Sequence, residues 1–306
     1  MGTKCLGLGV LPKAYLGGEQ DFQKDPDDEE YDILDEISRG SFGVVYSARN
    51  ERSGETVAIK EEVGGLCPST VMEISILKSL PPHPCIITFK QAAEGADGGR
   101  AYVVMEHMMS DLRRWRLKRR KPYAPIEIKY LMEEILKGVA FLHDHGVMHR
   151  DLKPENILLG HNSEVKICDF GLSARFPGQP YSPGVGTLWY MAPELLHGSR
   201  DYTCAVDMWA VGATMAELLL DRVLFREDSE CHQIWRIRWT MNPPFNFLRR
   251  ELKLAAAEAP ATAIASLTPA GFDLLESLLE YQPEYRITAK DALNHAWFQE
   301  LDAIPT

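Results

Sequence analysis

His149-Arg150-Asp151-Leu152-Lys153-Pro154-Glu155-Asn156 is the stretch from which the rest of the chain can be read. Its eight residues hold a carboxylate, an ammonium and an amide side chain at close spacing. Thirteen residues after Asn156 a second carboxylate opens Asp169-Phe170-Gly171, and Ala192-Pro193-Glu194 follows downstream. Phosphoryl transfer calls for these residue types. A carboxylate takes or orients the hydroxyl proton, oxygen ligands hold Mg2+, and positive charge meets the moving phosphoryl group. Asp151, the pair Asn156 and Asp169, and Lys153 are candidates for the three tasks.

Upstream lies a glycine-rich stretch between two strand-like runs, Ile37-Ser38-Arg39-Gly40-Ser41-Phe42-Gly43-Val44-Val45. Glycines at 40 and 43 let the backbone approach a phosphate with no Cβ in the way. Alone, the stretch is equally well explained as a plain hairpin. Fifteen residues after Val45, the apolar run Val57-Ala58-Ile59 ends on Lys60. By itself Lys60 reads as a solvated edge lysine. Beside the downstream carboxylates it reads as a point charge for ATP phosphates, steadied by a carboxylate such as Glu73 on the following helix.

The surrounding pattern divides in two. Val44-Val45-Tyr46, Thr56-Val57-Ala58-Ile59 and Tyr102-Val103-Val104-Met105 are short β-prone runs bounded by turn residues. A helical segment from Ser69 to Leu80 interrupts them. Beyond Asp111 the pattern turns helical, with Ile128, Leu131, Met132, Ile135, Leu136, Val139 and Leu142 on one face. Further helices are expected from Cys204 to Leu220, Thr268 to Leu279 and Thr288 to His295. Val206, Trp209, Val211, Met215 and Leu218 read as core. A strand-rich first part and a helical second part predict an α+β fold with a cleft between two lobes. Residues 1–30, rich in glycine and then in acid, are read as a flexible tail.

Composition narrows the function classes. With 306 residues the chain can form one large two-lobed domain or two ordinary ones. A net charge of -11 argues against generic nucleic-acid binding. Six cysteines, none in a CxxC pair, support neither a zinc site nor a redox dithiol and suit a reducing compartment. No apolar run approaches a membrane span, and the start does not read as a secretory signal. A cytoplasmic or nuclear location is therefore expected. Arg113 to Lys121 carries seven Lys/Arg in nine positions, read either as a docking or nuclear-import patch or as a solvated helix.

On these motifs, residues 31–298 resemble a eukaryotic serine/threonine protein kinase domain. Pro68-Ser69-Thr70, Thr187-Leu188-Trp189-Tyr190, Ala205-Val206-Asp207-Met208-Trp209 and Leu224-Phe225 resemble the cyclin-dependent (CMGC) group, of which the chain would be a divergent member. The resemblance implies a two-lobed kinase fold, with a β-rich N-lobe over 31–106, a helical C-lobe over 107–298 and a C-terminal tail at 299–306. ATP and Mg2+ would bind between the lobes. Asp151 would be the catalytic base, Lys153 a γ-phosphate contact, Asn156 and Asp169 the metal ligands, and Lys60 the partner of Glu73. ATP would meet the stretch Ile37 to Val45, Ala58 and Leu158 around adenine, Met105 as gatekeeper, Glu106 and Met108 in the hinge, and Asp111 at the ribose. Glu194 would be buried against Arg286, and Asp207 would anchor the catalytic loop. Protein substrates and a cyclin are the partners the group implies. The alternative is a pseudokinase or scaffold module. Such modules usually lose the lysine, the base or a metal ligand, and none is lost here.

Departures from the group are informative. Ser38 replaces the first glycine of the phosphate loop, and Phe42 replaces a tyrosine that is an inhibitory site elsewhere. Only twelve residues separate Lys60 from Glu73, and Met72 stands where an arginine is usual, which weighs against cyclin binding. The segment from Arg238 to Leu267 is short and alanine-rich. Ser182, five residues before Thr187, is the candidate activating phosphosite, with Arg150 and Arg175 as phosphate partners. Gly186 and Met191 replace the valine and arginine that enforce proline after the phosphorylated residue. Cys168 should face the nucleotide.

Overall fold

Val44, Val45 and Tyr46, and Thr56, Val57 and Ile59, are β-branched or aromatic residues that suit a pleated, half-buried surface, and the stretches that hold them, Gly43–Asn50 and Thr56–Val63, are strands. We describe a computed structural model covering residues 5–10, 29–40, 43–95, 100–178, 180–241, 247–258 and 262–300. Six strands build the N-lobe: β1 (Cys5–Val10), β2 (Glu29–Gly40), β3 (Gly43–Asn50), β4 (Thr56–Val63), β5 (Phe89–Gly95) and β6 (Arg100–Glu106). They close an antiparallel barrel in the order β1-β2-β3-β4-β6-β5. Tyr31, Ala48, Val57, Ile59, Tyr102 and Val104 fill its interior. Helix α1 (Pro68–Ser79) leaves the end of β4 and packs Ile74 against Ala92 and Val103 on the outside of the sheet.

The tail expected over residues 1–30 is not wholly irregular. Leu6, Leu8 and Val10 alternate with glycine, a period-two pattern. The segment pairs with β2 (Leu6 opposite Tyr31) and with β5 (Leu8 opposite Gly95). The acidic run also enters the ladder at Glu29. The remainder of the tail lies outside the described residues, as do residues 301–306 of the expected C-terminal tail.

The C-lobe follows through β7 (Ser110–Asp111), α2 (Leu112–Lys118) and α3 (Pro125–Asp144). All seven apolar positions expected on one face of α3 are buried. Short strands come next: β8 (Val147–Met148), β9 (Ile157–Leu159), β10 (Val165–Ile167) and β11 (Ala174–Arg175). The lobe is completed by α4 (Pro193–Leu196), α5 (Ala205–Leu220), α6 (Glu230–Met241), α7 (Phe247–Glu258), α8 (Pro269–Leu278), α9 (Ala289–Leu293) and α10 (Ala296–Gln299). Helix α5 is buried on every side from Val206 onward, as expected of a central helix that is apolar all round. Among the described residues no helix is long and apolar enough to cross a membrane.

Two features of this lobe position the site. Antiparallel pairing of β9 with β10 and of β8 with β11 pins the segment 149–156 between two small sheets and places Asp169 just past β10. Arg286, its side chain fully buried, donates to both oxygens of Glu194 at 2.8 and 3.1 Å and to the Ala205 carbonyl at 2.7 Å. That pair ties α4, and with it the end of the segment 169–194, to the start of α5.

Candidate active site

Asp207 shapes the site from below. It sits in the first turn of α5, 1% exposed, and accepts the backbone N–H of His149 at 2.9 Å and of Arg150 at 2.8 Å. His143 Nε2 lies 2.9 Å from Oδ2, the oxygen that also accepts the His149 N–H. Burial alone would raise the Asp207 carboxyl, but the His143 bond and the neighbouring donors hold it below the usual range. Arg150 is left at φ 67, a left-handed conformation uncommon outside glycine. Fixing the two amides on one buried carboxylate is what keeps it there.

The loop then presents Asp151. Lys153 Nζ reaches its Oδ2 at 2.6 Å, and Asn156 Nδ2 donates to its carbonyl at 2.9 Å and to Oδ2 at 3.2 Å. Thr187 contributes its N–H and hydroxyl to Oδ1, at 2.8 and 2.7 Å, and its hydroxyl also accepts from Lys153 at 2.7 Å. The Asn156 amide nitrogen is thus committed to Asp151, which leaves its oxygen for a cation. With the Asp169 carboxylate nearby, the donor set is the all-oxygen kind that Mg2+ prefers. Asp169 also takes a left-handed backbone, φ 65.

Across the cleft, Lys60 Nζ lies 3.2 Å from Glu73 Oε2 and 3.3 Å from Glu62 Oε1. Burial works against the charge on Lys60, but Glu73, Asp169 and Glu62 outweigh it and hold its pKa above the ordinary value. Burial in turn raises the Glu73 carboxyl in spite of Lys60. The Phe170 N–H donates to Glu73 at 3.3 Å, which links α1 directly to the Asp169-Phe170-Gly171 segment.

A single cavity of about 760 Å³ collects these groups, within the size range of small-molecule sites. Lys60, Glu73, Asp151, Lys153, Asn156 and Asp169 line it. So do Ile37, Ser38, Gly43, Val45, Ala58, Met105, Glu106, Met108, Asp111 and Leu158 from the expected ATP contacts.

Other expected contacts fall elsewhere. Arg39 turns back onto Glu36 at 3.0 and 2.6 Å. Val44 lies between Gly43 and Val45, and strand alternation sends it to the opposite face. Gly40 pairs with Gly43 at the end of the β2–β3 ladder. Ser41 and Phe42 lie outside the described residues. Gly43 has a reason beyond phosphate approach. At φ 146, a Cβ there would overlap the Glu61 carbonyl oxygen of the neighbouring strand.

The family model for the protein kinase domain matches residues 31–298. The chain belongs to the protein kinase family. It is 40% identical over 298 residues to cyclin-dependent kinase G-2 of Oryza sativa subsp. japonica, covering 89% of this chain and 42% of that protein. It is 38% identical over 292 residues to cyclin-dependent kinase 11B of Mus musculus, covering 89% and 37%. The chain therefore spans less than half the length of these curated relatives. A solved chain of the CAK complex from Chaetomium thermophilum bound to ATP-gamma-S superposes with a TM-score of 0.76 at 30% identity, over 90% of this kinase and 93% of that chain. The fold is the two-lobed α+β protein kinase fold.

Within the kinase domain several functional contacts escaped the sequence reading. Thr187 had been noted only as part of a motif, yet it bridges Asp151 and Lys153. Asp111, expected at the ribose, also caps α2 by accepting the Arg114 N–H at 2.8 Å. Arg114 extends to the Ile37 carbonyl at 2.6 Å and so joins the two lobes. Four of the seven basic residues in the run make such bonds. Arg113 pairs with Glu155, Arg116 with Glu217 and Asp221, and Arg119 with Glu127.

Cys168 does line the cavity, but burial raises its thiol well above the ordinary value, which leaves little thiolate to react. The phosphate partners expected for Ser182 are already engaged. Arg150 donates to the Leu172 carbonyl at 2.6 Å, the Ser173 carbonyl at 3.3 Å and the Tyr202 hydroxyl at 2.8 Å. Arg175 bonds Ser79. The Tyr202 hydroxyl in turn donates to the Ser182 carbonyl at 2.8 Å.

The His143–Asp207 contact makes stability depend on pH. Burial disfavours the imidazolium, but Asp207 overrides this and raises the His143 pKa to about 9. The unfolded imidazole titrates near 6.5. The contribution is therefore complete below about pH 6.5 and is lost as pH rises toward 9. Between pH 6.5 and 9 the thermal midpoint should fall by about 4 °C more in the wild type than in His143→Asn. Differential scanning fluorimetry across that window is the check, and parallel curves for the two proteins would refute the assignment.

Proposed function

We propose that the chain is an active serine/threonine kinase that transfers the γ-phosphoryl group of Mg·ATP to a protein hydroxyl. One observation carries this reading: Lys60, Glu73, Asp151, Lys153, Asn156 and Asp169 line one cavity, with the Lys60–Glu73 pair already formed at 3.2 Å. Asp151 would take the proton as the acceptor oxygen bonds to phosphorus and the bond to ADP breaks. Lys153, now on Asp151, is placed to move onto the γ-phosphate. Lys60 would hold the other phosphates. Asn156 and Asp169 would hold Mg2+, whose charge offsets that of the phosphates when bound. Glu106 and Met108 would present the hinge backbone to adenine, beneath the Met105 gatekeeper. Lys153 at this spacing from Asp151 favours Ser/Thr over Tyr acceptors.

Protein substrates follow from this reading. The names of the relatives raise a cyclin partner, but the shortened helix signature with Met72 weighs against one that docks on α1 in the usual way. The cytoplasm or nucleus remains the proposed location.

Asp151→Asn separates catalysis from binding. It should lower single-turnover transfer by about 100-fold or more while ATP still raises the thermal midpoint. Undiminished transfer would overturn the mechanism. ATP binding without any turnover in the wild type would leave a kinase-fold binding module.

Ser182 is exposed and remains our candidate phosphosite. Because Arg150 and Arg175 are engaged without phosphate, phosphorylation there should change kcat/KM by less than about tenfold. Comparing Ser182→Ala with wild type purified from its native cells tests this. A loss of about 100-fold would show that the arginines do await phosphate.

Proline should be only weakly preferred after the phosphorylated residue. Met191 is buried and apolar, so it offers the Gly186 carbonyl no charge-assisted bond. That carbonyl is free to accept a substrate N–H, which proline lacks. Restoring valine is not a clean control, since at φ 105 a Gly186 Cβ would come within 2.5 Å of the Arg150 carbonyl oxygen. The comparison is therefore between Ser-Pro and Ser-Ala peptides on the wild-type enzyme. The kcat/KM ratio should be about tenfold or less, and a ratio of about 100 would contradict the argument.

A further inference from the structure

Lys60 and Glu62 lie two residues apart on β4, and side chains at that spacing leave a strand on the same face. Helix α1 covers that face. Glu62 is buried to 2% exposure, unusual for a glutamate unless it is fully partnered. Its Oε2 accepts the Cys67 N–H at 3.1 Å. Its Oε1 accepts the Thr70 hydroxyl and lies 3.3 Å from Lys60 Nζ. Lys60 Nζ also donates to the Thr70 hydroxyl oxygen at 3.4 Å and to Glu73, one turn further along the helix, at 3.2 Å.

Helix α1 needs such a contact. The Cys67 side chain at its N-cap makes no capping bond, Pro68 opens the helix, and the first turn has no acidic residue. A helix start leaves N–H groups unpaired and carries partial positive charge. The carboxylate the helix lacks in its own first turn arrives from the neighbouring strand. Only Val63 to Leu66 separate Glu62 from Cys67, so the strand and the helix start are tied over a short connection. On its other side α1 exposes Met72.

We propose that Glu62 is a positioning residue that clamps the start of α1 to β4, so that the chain itself holds Glu73 against Lys60 without a partner protein seated on the helix. The effect on rate rests on the kinase reading above; the effect on the helix does not.

The test uses the full chain with Glu62→Ala and Glu62→Gln. Hydrogen exchange is followed by mass spectrometry over residues 67–77 and over β3 and β6. Transfer from ATP to casein, a generic acceptor, is measured alongside. In Glu62→Ala, exchange over 67–77 should quicken about tenfold while the two strands stay protected. Its kcat should fall about tenfold, with KM for ATP moving less than about threefold, because the cavity persists and only the Lys60–Glu73 alignment loosens. Glu62→Gln keeps an acceptor oxygen and should recover part of both effects. Unchanged exchange over 67–77 in Glu62→Ala overturns the proposal. So does a rise that is equal in helix and strands, which would mean general destabilisation. If the wild type transfers no phosphate, the kinase reading fails, and the exchange data still decide the role of Glu62.

Discussion

The Asp207 carboxylate is buried in the C-lobe, and the catalytic loop hangs from it. An isolated carboxylate at such a site would be neutralised or excluded. Here two backbone amides and His143 satisfy it, and the same bonds dictate the left-handed turn at Arg150. Once Arg150 is turned, Asp151 follows with its side chain toward the cleft, and the Arg150 guanidinium points back toward Leu172, Ser173 and Tyr202. The position of Asp151 and the path of the segment 169–194 therefore share one origin. The Glu194–Arg286 pair fixes the far end of that segment, while Arg150 holds its near end through the Leu172 and Ser173 carbonyls.

Much of this was legible in the sequence, because kinase chemistry requires particular side chains at nearly fixed spacing. The Lys60–Glu73 and Glu194–Arg286 pairs and the Asp207 anchor lie where the motif resemblance put them. Helix α3 could be read from apolar periodicity alone. What stayed hidden were contacts between residues that carry no joint pattern. His143 sits on α3, 64 positions from Asp207, and its i, i+3 and i, i+4 neighbours say nothing of a carboxylate partner. Glu62 is one of two adjacent acids after Lys60, and no motif marks it. Strand alternation would have placed it beside Lys60, but only the fold shows that α1 lies over it. The β1 pairing was missed because its glycines resembled linker composition. Arg39 and Val44 entered the ATP contacts with a contiguous motif, although Arg39 bonds Glu36 and strand alternation turns Val44 to the opposite face from Gly43 and Val45.

The basic run at Arg113 to Lys121 makes a related point about charge. Counted along the sequence it is a dense cationic patch. In the fold each of four arginines meets a carboxylate, and Arg114 also meets a backbone carbonyl of the opposite lobe. The exposed pairs, such as Arg113 with Glu155, contribute little individually, of order 0–1 kcal/mol, whereas Arg116 meets a buried Glu217. Their consequence is geometric: they hold four of the seven basic side chains in place, and Arg114 fastens Ile37 at the wall of the cavity.

The same logic bears on how the activation segment is ordered. In related kinases the resemblance places arginines at the positions of Met72 and Met191. Both are apolar here, so cationic side chains around the segment are fewer. Several of its remaining contacts end on neutral acceptors. Tyr202 joins Arg150 to the Ser182 carbonyl, and the rings of Tyr181 and Tyr202 lie 5.0 Å apart. The Tyr181 N–H bonds the Arg200 carbonyl at 2.9 Å, and Arg200 Nε returns to the Tyr181 carbonyl at 3.3 Å. Hydrogen bonds of this kind each contribute about 1 kcal/mol, and unlike ion pairs they are hardly screened by salt. A segment held this way is ordered by the chain itself. Glu62 of β4 is the counterpart in the N-lobe, since it bonds the start of α1 from a neighbouring strand. The two halves of the site are thus each tied down from within, and the two lobes meet through Phe170 on Glu73 and Arg114 on Ile37.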